Sequence, residues 1–174
     1  NDLSIGLKSL ISNQKYDEVL PLLQKYDSEI IGSFQILYNT GNDLTDAILS
    51  DKQKNAGDNI KIEFEGSLAN VPADNLEICV LFNNMIDIAF ENVKEFCGNS
   101  KQIVTLKAET RAGFLFCCVS FPIKGEIKKA QNNVLYHSFA YKTLKNLAEK
   151  NGGKIETNLS KNRLAITTGW AINN

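Results

Sequence analysis

Histidine is almost absent from this sequence, because His137 is the only one among 174 residues. The four cysteines, Cys79, Cys97, Cys117 and Cys118, include no CxxC pair. The sequence therefore offers no metal site of the histidine and cysteine kind. Cys117 and Cys118 lie within an apolar run and are predicted to be strand residues. We expect buried, reduced thiols, which suit a reducing cytoplasm.

The sequence also lacks an excess of charge and a long apolar run. Its net charge of -1 gives no strongly basic surface, so we expect no nucleic-acid partner. It has no run of about 18 apolar residues, the length that a membrane-spanning helix needs. The only methionine is Met85, and the chain opens at Asn1 inside a predicted helix. We therefore expect a fragment of a longer protein, whose contact with a membrane would be made only by an upstream region.

The hydrophobic pattern divides the chain into a helical part and a mixed part. Apolar residues at helical spacing predict a first helix over residues 2–12. After the polar turn SNQKYD, a second helix is predicted to start at Asp17 and to carry apolar side chains as far as Leu37. Two helices joined so closely must pair antiparallel, and two copies of the hairpin would complete a four-helix bundle. We predict a dimerisation hairpin over residues 1–40, followed by a second domain over residues 41–174.

The second domain combines helix and strand patterns. Asn42 or Asp43 is expected to cap a third helix that ends near Asn55. The segment NIKIEFEGS is typical of a half-buried strand. The remaining elements are a long helix over residues 76–97, a strand pair around 110–113, a helix over 137–150 and a hairpin around 160–162. The fold class is therefore α+β: a helical hairpin followed by a mixed or antiparallel sheet with helices on one face.

The long helix carries a polar stripe in the segment LFNNMIDIAFEN. Asn84, Asp87, Ile88 and Glu91 are spaced i, i+3, i+4 and i+7, which places them on one helix face. Asparagine and carboxylate oxygens on such a stripe could hold a magnesium–phosphate group, because hard cations prefer oxygen ligands. The other interpretation is a solvated helix face.

In order and spacing, these elements resemble the C-terminal half of a sensor histidine kinase, in which a dimerisation hairpin precedes a Bergerat-fold ATPase domain. The most specific segments are ICVLFNNMIDIAFE, FCCVSFPI and YHSFAYKTLKNLAEKNGGKIE. The resemblance is strongest to the peptide-quorum-sensing, accessory-gene-regulator C type and covers essentially the whole chain. It implies ATP and Mg²⁺ as the family's cofactors. It also implies a two-component system whose kinase region lies at the cytoplasmic face of the cell membrane.

Several positions that contact phosphate, metal or adenine in the family hold other residues here. The family opens its phosphoacceptor helix with His-Asp, whereas this chain has Asn1 before Asp2. An amide has no basic nitrogen lone pair to attack with, so Asn1 cannot accept a phosphoryl group. Ile88 replaces the asparagine that faces the metal, and Phe121 replaces the polar residue that reads the adenine edge. The matching residues of the metal-facing helix are Asn84, Asp87 and Glu91, of which Asn84 is the candidate metal contact.

The loop before the helix over residues 137–150 has lost both glycines of the family pattern. Ser138 and Ala140 stand at the glycine positions, whereas His137 and Lys142 match. The family's glycines let backbone N–H groups approach phosphate. His137 matches a possible phosphate contact or is a half-buried residue at the start of the helix, and Lys142 is predicted to be solvated. Tyr141 adds bulk at the start of the helix.

These changes predict a histidine-kinase-like module that is inactive or very weak and acts by dimerisation and docking, with a response regulator or a partner kinase as further partners. We expect no bound cofactor unless the site still functions with ATP and Mg²⁺. We also expect Phe121, with Phe139 or Tyr141, to fill the space that an adenine would take, because an empty apolar cavity costs stability. One alternative is an active, divergent ATP-dependent histidine kinase. Another is a Bergerat-fold regulator of the anti-sigma type.

Overall fold

The computed structural model of the chain describes residues 2–27, 36–97, 100–123, 138–160 and 162–172. The chain divides into two compact units, Asn1–Gln35 and Ile36–Asn174. The second unit thus begins slightly before the boundary predicted at residue 41. Asn1 and His137, which both received a role from the sequence, lie outside the described residues.

The first unit contains a pair of helices joined by a short turn. Helix α1 spans Asp2–Ser12 and helix α2 spans Tyr16–Asp27. Gly6 in the middle of α1 lies against Leu22 in the middle of α2. Because the turn over residues 13–15 is so short, this contact makes the two helices antiparallel. This confirms the predicted pairing of the two helices.

The prediction that the second helix reaches Leu37 is wrong at its far end. Residues 36–39 are not helical, and residues 28–35 lie outside the described part of the chain. The Leu37 N–H donates to Ser50 Oγ at 2.9 Å, a side-chain partner from the following helix. The Leu37 amide therefore has a hydrogen-bond acceptor outside any helix, which is consistent with a non-helical backbone at this position.

The second unit has two layers, a sheet and a helical layer. In the part of the chain that the structure describes, five strands form a mixed sheet in the order β1-β2-β3-β5-β4. The strands are β1 Ile60–Gly66, β2 Gln102–Arg111, β3 Phe114–Pro122, β4 Lys154–Ser160 and β5 Arg163–Ala171. The helices packed on the sheet are α3 Asp43–Asn55, α4 Asn75–Cys97 and α5 Phe139–Lys150. The predicted α+β class is confirmed.

The strands bury alternate side chains, as the two-residue period of a strand requires. β1 runs parallel to β2, and the other neighbours are antiparallel. On β3, Leu115, Cys117, Val119 and Phe121 are buried in the core, whereas the residues between them are only partly covered. One face of the sheet therefore supplies the core, and the described helices leave the other face open.

Three cysteines lie among the described side chains, Cys79 on α4 and the neighbours Cys117 and Cys118 on β3. Cys79 and Cys117 are buried free thiols, whereas Cys118 is a half-buried free thiol. The expectation of burial is therefore wrong for Cys118, because neighbouring residues of a strand point to opposite faces of the sheet. Burial raises the pKa of the Cys117 thiol well above its usual range and also raises that of Cys79.

Caps and end contacts set the positions of the three helices. Asn42 caps α3 as predicted, since its Oδ1 accepts the Thr45 N–H at 2.9 Å. Glu77, in the first turn of α4, contacts Lys150 at the end of α5. The two helices therefore run antiparallel, and the start of α5 lies beside the second half of α4. Among the described residues, no helix combines the length and the apolar character needed to cross a lipid bilayer.

Candidate functional site

A cleft of about 640 Å³ lies between α3, the second half of α4 and the start of α5. Three polar side chains of α3 line one wall: Asp51, Lys52 and Asn55. The cleft therefore carries charged groups from two helices that are distant in the sequence.

The polar stripe of α4 faces the cleft in part. Asn84, Asp87 and Glu91 line it, together with Asn83. Ile88 is 1% exposed and packs in the hydrophobic core. The helix thus presents oxygen-bearing side chains to the cleft, while the residue at the family's metal-facing position is committed to the interior.

Asp87 uses both oxygens within the protein. Lys52 Nζ forms an ion pair with Oδ1, and Asn83 Nδ2 donates to Oδ2 at 3.1 Å. The Lys52 and Asp87 side chains are 22% and 37% exposed, so solvent screens this pair only partly. The pair connects the α3 wall of the cleft to α4 and occupies the carboxylate that the sequence assigned to a ligand.

Asn84 and Glu91 each have an acceptor atom without a partner among the described residues. Asn84 is 8% exposed, and its Nδ2 donates to the Val80 carbonyl at 2.7 Å. Within the described ranges, no donor bonds to Asn84 Oδ1, and exposed Glu91 forms no ion pair. Across these same residues, no group of three or more histidine, cysteine, aspartate or glutamate side chains could hold a metal ion. Asn84 is therefore at most a single metal contact.

Aromatic side chains form the apolar part of the cleft. Phe90 lies in its lining, with Lys94 Nζ 5.8 Å from the ring centroid. Phe139 lines the cleft and is 83% exposed. Tyr141 and Phe121 pack in the core and are not among the lining residues. That Phe121 fills the space of an adenine stays a prediction.

The start of α5 holds Ser138 and Ala140 at the two positions where the resemblance places glycine. Ser138 is the N-cap, and its Oγ accepts the Tyr141 N–H at 3.1 Å. Its φ of -61° is ordinary, and Ala140 lies in the first turn of the helix. Neither position has the left-handed backbone in which a side chain is costly. Lys142 is exposed and lies outside the cleft lining, in agreement with a solvated residue.

The sequence patterns did not indicate the α3 wall of the cleft or three of its lining residues on α4. Lys52 belongs to the polar side of a predicted helix, but the sequence does not say which neighbour that side meets. Asn83 could have been found, because it precedes Asp87 by four residues and so lies on the same helix face. Phe90 and Lys94 also line the cleft.

Solved structures of histidine kinases have the same fold as this chain. The catalytic domain of histidine kinase ThkA matches with a TM-score of 0.59 and 16% identity, covering 77% of this chain and 93% of that chain. Acinetobacter baumannii histidine kinase AdeS matches with a TM-score of 0.59 and 14% identity, over 96% of this chain and 84% of that chain. A histidine kinase from Burkholderia phymatum STM815 matches with a TM-score of 0.57 and 13% identity, over 99% of this chain and 95% of that chain.

The sequence itself matches no protein-family model and no curated protein. The likeness therefore rests on the arrangement of the helices and of the mixed sheet. This chain has the fold of a histidine-kinase ATPase domain.

Proposed function

We propose that the chain is the catalytic-region module of a peptide-quorum-sensing histidine kinase that has lost phosphotransfer and acts by dimerisation and docking onto proteins. The observation that carries this proposal is the burial of Ile88, which is 1% exposed at the family's metal-facing position. A buried isoleucine offers no oxygen to Mg²⁺ and cannot leave the core without exposing apolar surface.

The residues present do not fit an Mg²⁺–ATP site of the family's kind. Asp87 is already bonded through both oxygens, and Phe121 has no group that could pair with an adenine edge. ATP binding at ~0.1 mM needs about 5.5 kcal/mol. Three lost contacts at roughly 1–3 kcal/mol each would remove most of it. The cleft is therefore retained without its nucleotide.

A second candidate function is an active but divergent ATP-dependent kinase. Buried Asn84 favours it, because this residue lines a cleft of about 640 Å³ and no donor among the described residues bonds to its Oδ1. In this case a nucleotide would bind by contacts other than those of the family. A nucleotide titration separates the two candidates.

The helical hairpin supplies the proposed dimer contact. Ile5 and Ile11 on α1 are exposed at 66% and 52%. In a second copy, such side chains would pack together into a four-helix bundle. A response regulator or a partner kinase would be a further partner, at the cytoplasmic face of the membrane. Light scattering should give the mass of a dimer, and a monomer at high concentration would contradict the hairpin as interface.

A phosphorylation assay tests the loss of catalysis. The chain and its Asn1→His variant are incubated with radiolabelled ATP and Mg²⁺. We expect no label on either, because the variant restores the acceptor side chain but leaves Ile88 and Phe121 in place. Labelling of Asn1→His would show that the nucleotide side still works and would favour the divergent kinase.

A further inference from the structure

The chain enters the second unit through a connector, residues 36–40, that is bonded to side chains of α3. The Leu37 N–H donates to Ser50 Oγ at 2.9 Å, and the Thr40 N–H donates to Asp46 Oδ1 at 2.7 Å. Ser50 and Asp46 are both buried, and the Ser50 hydroxyl donates to the Asp46 carbonyl at 2.6 Å. Two backbone amides of the connector therefore depend on the position of α3.

The same part of α3 makes the contact across the cleft. Lys52 follows Ser50 by two residues and pairs with Asp87 of α4. This ion pair joins α3 to α4. A charge-assisted hydrogen bond is stronger than a neutral one, particularly when it is partly shielded from water. The pair thus contributes to the position of α3 relative to α4.

Gln53 holds this turn of α3 to the edge of the sheet. Its Nε2 donates to the Ile60 carbonyl at 2.9 Å, and its Oε1 accepts the Ile62 N–H at 2.7 Å. The Tyr38 hydroxyl of the connector donates to the Ile62 carbonyl at 3.0 Å. Burial, with nearby Glu63, raises the pKa of Tyr38 to about 12, which keeps the hydroxyl a hydrogen-bond donor even at alkaline pH. This turn of α3 therefore has bonds to β1, to the connector and to α4 across the cleft.

We propose that α3 couples the cleft to the connector. A change that separates Lys52 from Asp87 lets α3 shift about its contact with β1, and this shift lengthens the bonds that hold Leu37 and Thr40. Because coupling between two sites is reciprocal in free energy, a displacement of the connector weakens the ion pair by the same free energy. A cation or partner side chain that takes over Asp87 in the cleft thereby alters how firmly the incoming chain is held. The coupling does not require the cleft to bind a nucleotide.

Amide hydrogen exchange by NMR on the whole chain tests the coupling. The variants are Lys52→Met and the control Lys154→Met, since Lys154 pairs with Glu156 on β4, at the opposite edge of the sheet from β1. We expect Lys52→Met to raise the exchange rates of the Leu37 and Thr40 amides at least threefold. Lys154→Met should leave both rates unchanged. The amides of Val104 and Leu106, in the core of the sheet, report general stability.

Two further variants complete the test. Asp87→Asn removes the charge from the other partner at similar volume and should accelerate the same two amides. Ser50→Ala should in turn speed the solvent exchange of the Lys52 ammonium protons, which an ion pair slows. Unchanged Leu37 and Thr40 rates in both Lys52→Met and Asp87→Asn would overturn the proposal. An equal rise in Lys154→Met, or at Val104 and Leu106, would also overturn it, because the effect would then be general destabilisation.

Discussion

The two ends of the antiparallel α4–α5 pair differ in how they use their polar groups. At the closed end, Glu77 accepts from Lys150 and from Asn151 Nδ2, the latter at 2.9 Å. The Asn151 carbonyl accepts the Ala171 N–H of β5 at 2.9 Å, which links the helix pair to the sheet. At the cleft end, Asn84 Oδ1 and Glu91 have no bonding partner among the described residues.

The two ends therefore differ in how many residue types each position tolerates. At the closed end, even Gly153 is constrained by packing, since a Cβ there would lie 1.6 Å from the Gly169 carbonyl oxygen. Ser138 and Ala140 line the cleft at the two positions where the resemblance to histidine kinases places glycine. The fold depends on the core and the closed end, so the cleft lining can diverge without unfolding the domain.

The largest expected effect separates the core from the cleft lining. Phe121→Ala should lower the free energy of unfolding by about 3–5 kcal/mol, because it leaves a cavity in the core. Phe139→Ala removes a phenyl ring from the cleft lining and should change the free energy of unfolding by less than about 0.5 kcal/mol. Urea unfolding measures both. A similar loss in the two variants would contradict the distinction between core and lining.

The next effect concerns the metal-facing position. Ile88→Asn restores the family's residue but places an amide in the core. It should lower the free energy of unfolding by about 2–4 kcal/mol, since apolar contacts are lost and a buried polar group lacks partners. The control Ile88→Val should cost about 0.5–1.5 kcal/mol. If the Ile88→Asn protein melted like the parent, Ile88 would not be committed to the core.

The smallest effect belongs to the closed end and depends on pH. Hydrogen bonds from Lys150 and Asn151 lower the pKa of Glu77. Its stabilising contribution is therefore present above the unfolded-state pKa, about 4.3, and is lost as pH falls through the lower folded-state pKa. Glu77→Gln should lower the free energy of unfolding at pH 7 by about 0.5–1 kcal/mol.

The difference between Glu77→Gln and the parent chain should shrink below about pH 4, where the parent carboxylate becomes protonated. Glu91→Gln is the matched control at the cleft end, because its carboxylate has no partner among the described residues. The unfolding curve of Glu91→Gln should match that of the parent chain both at pH 7 and below about pH 4. A pH-independent difference for Glu77→Gln would rule out the ionic contribution.

Local patterns predicted the fold well and the site only in part. Alternation predicted β1, an apolar run predicted β3, and Asn42 was one of two candidate helix caps, because these signals lie within a few residues of sequence. The end of α2 was wrong because the Leu37 amide bonds to Ser50, a partner beyond the local pattern. The Lys52–Asp87 pair could not be predicted for the same reason, since it depends on which side of α3 meets α4.

We propose that the cleft does not bind nucleotide, and a thermal melt with ATP and Mg²⁺ tests this most directly. A ligand at a hundred times its dissociation constant would stabilise the chain by about 2.7 kcal/mol, which raises the melting temperature by several degrees in a domain of this size. We predict no measurable shift at millimolar ATP with Mg²⁺. A rise of several degrees that disappears when Mg²⁺ is removed would contradict the account.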